Sequence, residues 1–418
     1  MARGGLVAAL TLSGTAAAQS SGEGERLVGN GQAAGGCVGP SVAAVVGRVQ
    51  LYGSVRLDGV WEDSHLQDVE YPLWAVNEDP SQGAARNDAE FSIHPWLTRA
   101  GVRLDHLPLA DGLRASAKIE LDFLQQGAGW RPQLRFLHAY GRISFHHWAL
   151  LIGHTDDLLS PLSPSVNAAT RMWNAGNLGD RRAQFRVVYQ PKVGAGRLRI
   201  ATAMGVPNAV DRQDLDRDGV RDGYAAAVPM GQGLIELAGP FWTRRRPFRV
   251  GLSGHIAIQE VSAVDDASPP AGAFDYGGDR RLHAFSMVAH LQLPILDRVW
   301  LSGEGFYGQN LPDVRGGIGQ AISLKTGQEV RAYGGWGQLA VEPARWFSGY
   351  VGGSIDHPVD GDVADGQRRQ NATFFAANHF HPSDGLTIAI AYSYWATAYQ
   401  NRGAGTAQRF NLWSAYDF

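Results

Sequence analysis

No apolar run in the 418-residue chain approaches the roughly 18 residues that a membrane-spanning helix requires, which excludes a helical membrane protein. There is one cysteine, Cys37, so no intramolecular disulfide can staple the fold. Neither sign of charge dominates. A formal charge of −3 gives no electrostatic case for binding nucleic acid. Catalytic signatures are also missing. Ser, His and Asp are scattered, no G-x-S-x-G or H-E-x-x-H occurs, and no enzyme is expected. His146-His147 and the pair His379 and His381 fall at predicted strand ends, where solvated histidines are commoner than metal ligands.

What the chain does have is glycine, 53 residues of it, with 10% aromatics. That composition favours turns and β-structure over helix bundles. Met1 to Ser20 reads as an export signal. Arg3 supplies the positive start, Leu6 to Leu12 an apolar core, and Ala16-Ala17-Ala18 a cleavage site. The organisation expected is a signal peptide over residues 1–18, a flexible Gly/Ala/Ser-rich leader over 19–46, and one domain over 47–418. Cys37 follows Ala34-Gly35-Gly36 without the aliphatic residue of a lipidation site and reads as incidental.

From Gly47 a period of two sets in. Leu113, Ala115, Ala117, Ile119, Leu121 and Phe123 alternate with Arg114, Ser116, Lys118, Glu120 and Asp122, which gives one dry and one wet face. About ten residues is what a tilted strand needs to cross a bilayer. Val49, Leu51, Gly53, Val55 and Leu57 against Gln50, Tyr52, Ser54 and Arg56 repeat the pattern. So do Ala183, Phe185, Val187 and Tyr189, and the closing Phe410, Leu412, Ser414, Tyr416 and Phe418. The count is about sixteen strands. Long connections such as 63–90, 156–181, 207–230 and 260–279 alternate with short ones such as 191–196, 294–298 and 381–385. A meander barrel sorts its loops onto one rim and its turns onto the other. The fold expected is therefore all-β: a transmembrane antiparallel β-barrel. Trp61, Trp96, Tyr307 and Tyr394 are assigned to an aromatic girdle at the loop rim. Phe145, Trp148, Phe248, Trp346, Tyr416 and Phe418 are assigned to one at the turn rim.

Thr98-Arg99-Ala100-Gly101, Ile119-Glu120-Leu121-Asp122-Phe123, His138-Ala139-Tyr140-Gly141 and Gly153-His154-Thr155 resemble the trimeric Gram-negative porins, and among them the DcaP-like outer-membrane channels. The terminal Phe418, with Tyr416 and Leu412 in phase, is similar to the signal by which the barrel-assembly machinery recognises such proteins. The resemblance implies a sixteen-stranded homotrimer in outer-membrane lipid. It also implies a third long loop folded inward and a preference for small anionic or dicarboxylate solutes. Two features depart from it: residues 19–45 show no heptads, and the loop starting at Asp156 looks closer to the general-porin style.

A pore selects by the charge and width of its narrowest ring. Alternation turns Arg56, Arg99, Lys118 and Arg186 inward, with Arg103, Arg114, Arg142 and Arg182 extending the basic face. Inward acids are Asp58, Asp105, Glu120 and Asp122. With the third loop inside, Asp156 and Asp157 would oppose that wall across an eyelet and favour anions on the basic side. The alternative is that these charges merely pair and solvate a polar interior. No cofactor is required, but one loop has the chemistry of a cation site. Asp214, Asp216, Asp218 and Asp222 stand at positions 1, 3, 5 and 9 with Gly219 at position 6, the oxygen spacing of a Ca²⁺ loop. Ala225 at position 12 replaces the bidentate Glu, so a weaker extracellular-type site is expected, with a solvated acidic loop tip as the alternative. The function expected is passive diffusion of small hydrophilic solutes with modest anion preference across a Gram-negative outer membrane. A non-channel structural or adhesin-type barrel is the second reading.

Overall fold

The architecture was analysed in a computed structural model. It describes residues 48–78, 88–124, 132–166, 169–207, 214–216, 221–243, 245–261 and 274–418. The expected signal peptide and leader, with Cys37, lie outside the described residues, as does Asp218.

Eighteen strand segments follow in order: β1 (Val49–Glu62), β2 (Glu90–His94), β3 (Arg99–Ala110), β4 (Leu113–Asp122), β5 (Arg135–Phe145), β6 (Trp148–Asp156), β7 (Arg181–Tyr189), β8 (Lys192–Val193), β9 (Gly196–Gly205), β10 (Met230–Gly239), β11 (Phe248–Val261), β12 (Arg280–Leu296), β13 (Val299–Gln309), β14 (Arg331–Ala344), β15 (Phe347–Pro358), β16 (Arg368–Ser383), β17 (Leu386–Tyr399) and β18 (Arg402–Asp417). Two staves are broken. β2 and β3 pair with the upper and lower halves of β1 and are separated by a turn in which the Thr98 N–H donates to the Pro95 carbonyl. β7 and β8 both pair with β9, divided at Pro191. Proline offers no N–H to a ladder, so each break sits where pairing would otherwise fail. The barrel therefore has the sixteen staves that alternation predicts.

Closure comes from β1 against β18, with Ser54 opposite Asp417. Gly53 and Phe418 exchange both backbone hydrogen bonds, at 3.1 and 3.0 Å. A Cβ at Gly53 would come within 2.5 Å of the Arg99 carbonyl oxygen and 2.9 Å of the Phe418 ring, so glycine suits this position. Outward faces are apolar and exposed, as at Ile119, Ile152, Ile256 and Met287, while their sequence neighbours point into the lumen. Ile256 is 69% exposed at mid-strand, a surface suited to hydrocarbon.

The wall is uneven. β4 to β10, the two-residue β8 aside, run 9–11 residues. β12, β16 and β18 reach 16–17. Most girdle aromatics stand where expected: Trp61 packs on Phe410 at 5.8 Å, and Trp148 on Tyr189 at 4.5 Å. Trp96 does not. It lies in the turn between β2 and β3, contacts His94 at 5.2 Å, and joins an apolar cluster with Tyr71, Leu73, Leu124 and Trp173. The turn at Pro95 ends the alternation that would have sent it outward.

Candidate functional site: a lumen narrowed by three loops

Residues 157–166 and 169–180, between β6 and β7, fold into the barrel, and the inner wall holds them by side chains aimed at loop backbone. Gln232 accepts from the Leu158 N–H at 2.7 Å, Glu304 from Leu162 at 2.8 Å, and Gln338 from Ser165 at 2.7 Å. Asn371 Nδ2 donates to the Asn174 carbonyl at 2.8 Å and to the Leu73 carbonyl of the first loop at 2.7 Å. These partners stand on β10, β13, β14 and β16, so the loop crosses the taller wall from one side to the other. Each satisfies a loop N–H or C=O that would otherwise be stranded away from water.

Apolar packing completes the attachment. Leu66 and Ala75 from the first loop and Met172 and Ala175 from the third close over Phe375 and Trp395 of the wall. Leu311 and Val314, between β13 and β14, join Leu159, Leu178 and Phe306. Trp173 contacts Tyr71 at 6.3 Å, and the Arg315 guanidinium lies 4.9 Å from the Trp173 ring centroid. The β10–β18 half of the lumen is thus lined by loop. The β1–β7 half keeps its charged side chains.

Near the top of that exposed half, Arg99, Arg135 and Arg181 stand with Asp122 and Asp156, and the third loop adds Arg171. Arg181 Nε lies 2.8 Å from Asp156 Oδ1 and Arg171 Nη1 3.8 Å from the same oxygen. His138 Nε2 is 3.9 Å from Oδ2. Arg135 grips Asp122 through two bonds of 2.9 and 2.7 Å, the bidentate fork that fixes both planes. Below them Glu120 gathers the Tyr52 hydroxyl at 2.7 Å, Lys118 at 3.3 Å and Arg99 at 3.8 Å. Five cationic groups, Arg99, Lys118, Arg135, Arg171 and Arg181, face three carboxylates, which leaves this region positive.

The Arg171 guanidinium is pulled down to about 10, first by burial and then by the Arg181 charge, against the pull of Asp156; Arg99 and Arg135 depress it further. It remains protonated at neutral pH. Its backbone is left-handed, as are those of Met172 and Asn174, with φ of 51°, 62° and 57°. Non-glycine residues hold such angles only where their surroundings impose them, and such strain gathers at functional sites.

Of the residues singled out in the sequence, Arg99, Lys118, Glu120 and Asp156 come together here. The others do not. Arg56 stands beside Arg99, its N–H donating to Thr98 Oγ1 at 3.1 Å, but its guanidinium forks onto Asp58 at 2.6 and 2.7 Å and lies 4.1 Å from the Trp413 ring centroid. Arg114 is opposite Pro108 and Ser144, at the turn end. Arg186 is buried, donating to Gln184 Oε1 at 3.2 and 2.9 Å and to the Asp156 carbonyl. Arg99 and Lys118 start from different depths, since Lys118 pairs with Arg103 and not with Arg99, and they meet only through Glu120.

Asp157 differs most from expectation. It and Arg182 have fully buried side chains, joined through Nε to Oδ1 at 2.6 Å and Nη2 to Oδ2 at 2.9 Å. Arg182 also holds Asp313 at 3.0 Å. This pair roots the loop and presents no charge to a solute. Alternation missed Arg135, Arg171 and Arg181. Arg135 precedes a register shift in the β4–β5 pairing, and Arg171 lies in a loop without periodicity.

In the fourth loop, ligand oxygens of Asp214, Asp216 and Asp222 all lie within 4.8 Å of one another. Asp216 and Asp222 are buried, and Asp222 also accepts the Leu215 N–H at 2.7 Å. Three converging hard oxygens suit Ca²⁺ better than a softer metal.

A scan against protein-family models finds no match, and neither does a search of curated proteins. Solved structures do match. The outer membrane channel DcaP of Acinetobacter baumannii superposes with a TM-score of 0.66 at 14% identity, covering 88% of this chain and 97% of that one. OprB of Pseudomonas putida gives 0.53 at 12% identity, over 90% and 96%. The trimer form of OmpT, an outer membrane protein of Vibrio cholerae, gives 0.53 at 11%, over 88% and 99%. The identities are low, but nearly the whole length of each aligns, and the fold of this chain is that of the Gram-negative outer-membrane porins.

Proposed function

We propose that the protein is a porin-type channel of the outer membrane, passing small hydrophilic solutes by diffusion with a modest preference for anions. One observation carries the reading: the third loop brings Arg171 and Asp156 together with Arg99, Arg135 and Arg181, at the edge where the loop-covered wall meets the charged wall. Charges at a narrow, partly dehydrated ring act more strongly than on an open surface. The surplus there is positive. Small carboxylates, dicarboxylates among them, are the solutes it favours.

Assembly as a homotrimer agrees with the uneven wall. The short arc carries small outward residues, Ala100, Ala115, Ala117, Ala139 and Gly141, that allow close approach of a second copy. The taller arc carries outward aromatics at both rims and faces lipid. Phe418, seated on Gly53 at the seam, is available in the unfolded chain as a signal to the assembly machinery. Calcium bound by Asp214, Asp216 and Asp222, with Asp218 of the same motif, would order the fourth loop on the cell surface.

Planar-bilayer recording tests the reading. Steps in groups of three, with a reversal potential of anion sign in a salt gradient, are expected. A purified protein silent at every voltage would instead favour the structural or adhesin-type barrel.

A further inference from the structure

The lipid-facing wall is not uniformly studded with side chains. Where β10 to β14 meet there is a hollow of about 670 Å³, walled by Ile235, Leu252, Leu291 and Leu301 and floored by Gly303 and Gly337. Register explains it. Ile235 opposes Leu252, Leu291 opposes Gly303, and Gly303 opposes Gly337, so two adjacent staves lack an outward side chain beside staves with large ones. A convex barrel presented to hydrocarbon has here a concavity the size of a ligand pocket.

Its place limits what can fill it. Leu301 is two residues from the end of β13, so the hollow opens toward the turn rim. Trp242 and Trp346, both more than half exposed, flank it there as interface residues do. Trp242 Nε1 donates to the Ile295 carbonyl at 3.0 Å and pins the β10–β11 turn beneath β12. The same rim carries Arg245, Arg246, Arg298 and Arg345 against Asp297 and Glu342. Arg246 lies over the inward Trp300 ring, 3.5 Å from its centroid, and shares Glu342 with Arg245, so that pair turns toward the lumen mouth, whereas Arg298 and Arg345 are exposed on the rim with Asp297. The local surplus is therefore positive, at the depth of the inner-leaflet headgroups.

We propose that this hollow is a site for a phospholipid of the inner leaflet, one acyl chain lying over Gly303 and Gly337 and the phosphate meeting the arginine-rich turns. A second copy of the chain is disfavoured because outward aromatics stand at both rims of this arc, the mark of a lipid-facing surface. The inference rests on the membrane orientation in the proposed function, with turns on the periplasmic side.

The test is native mass spectrometry of the full-length protein extracted from outer membranes in mild detergent, then stripped and re-exposed to phosphatidylglycerol. A Cβ at Gly337 meets nothing within 4 Å, so Gly337→Leu fills the hollow without disturbing the barrel. Losing the methylene contacts should lower phospholipid retention about tenfold in that variant. Arg298→Ala with Arg345→Ala should lower it through the headgroup. Retention unchanged by Gly337→Leu overturns the proposal. So does loss of oligomer in place of lipid, which would mean that a second copy fills the hollow. A retained phosphorylated glycolipid indifferent to the arginine pair would overturn the leaflet assignment. Conductance of the same preparations keeps the two readings apart: Gly337→Leu should conduct as wild type, and a silent wild type would reject the channel while leaving the lipid result readable.

Discussion

Arg182→Met is the sharpest perturbation of the third loop, because the buried guanidinium spends all five of its N–H donors there. Nε and Nη2 donate to Asp157, Nη1 to Asp313 Oδ2 at 3.0 Å and the Val206 carbonyl at 3.0 Å, and Nη2 also to the Asp313 carbonyl at 2.8 Å. Methionine fills similar space and leaves Asp157 and Asp313 as neighbouring buried carboxylates with no cation between them. Removing one partner of a buried ion pair costs about 3–5 kcal/mol. With tenfold per 1.4 kcal/mol, the population of undocked loop should rise roughly a hundredfold to a few thousandfold. The ladder bonds of the barrel are untouched, and the contacts through Gln232, Glu304, Gln338 and Asn371 remain, so the channel should assemble and become noisy. The assay is single-channel recording: frequent transitions between conductance levels, against quiet steps in wild type. Adding Asp157→Asn and Asp313→Asn to Arg182→Met removes the stranded charges and should restore most of the quiet. A single variant as quiet as wild type would refute the idea that this triad roots the loop.

Further outcomes follow from the same geometry. Arg99→Glu with Arg171→Glu should move the reversal potential in a salt gradient toward cations, most clearly at low ionic strength, since fields are screened beyond about 10 Å at 0.1 M salt. Asp156→Asn should move it toward anions; an unmoved potential in both cases would place the narrowest ring elsewhere. Asp157→Asn should not change the reversal potential at all, because that carboxylate has no exposed surface, and a shift would contradict its burial. Asp216→Asn with Asp222→Asn should abolish calcium-dependent protection of the fourth loop from protease, and a chelator without effect on wild-type cleavage would dismiss the site. Spin labels from Leu113 to Phe123 should alternate between lipid and water accessibility, and a helical period would exclude the register.

The outer face was legible because lipid demands one simple thing of it. Every second residue must be apolar, and Leu113 to Phe123 meets that demand without exception. The lumen demands no such regularity. An inward arginine reads the same in sequence whether it borders the pore, as Arg99 does, forks onto Asp58, as Arg56 does, or lies buried with Asp157, as Arg182 does. What separates the three is the path of loops 1 and 3 across the barrel, and that path depends on partners far apart in the chain. Asn371 reaches Asn174 and Leu73, and Gln338 reaches Ser165. Trp96 was misplaced for a related reason, since a single Pro95 ended the alternation that its assignment assumed. The same argument explains why Arg171 left no trace in sequence. Its left-handed backbone is imposed by a packed loop and not signalled by glycine. In this chain the period-two wall specifies a barrel, whereas the lumen is shaped by loops whose anchors lie as far as 340 residues away, as Arg409 does from the Val69 carbonyl. Substitutions of outward residues should therefore act on assembly and lipid contact, and substitutions of the buried anchors on loop docking and current noise.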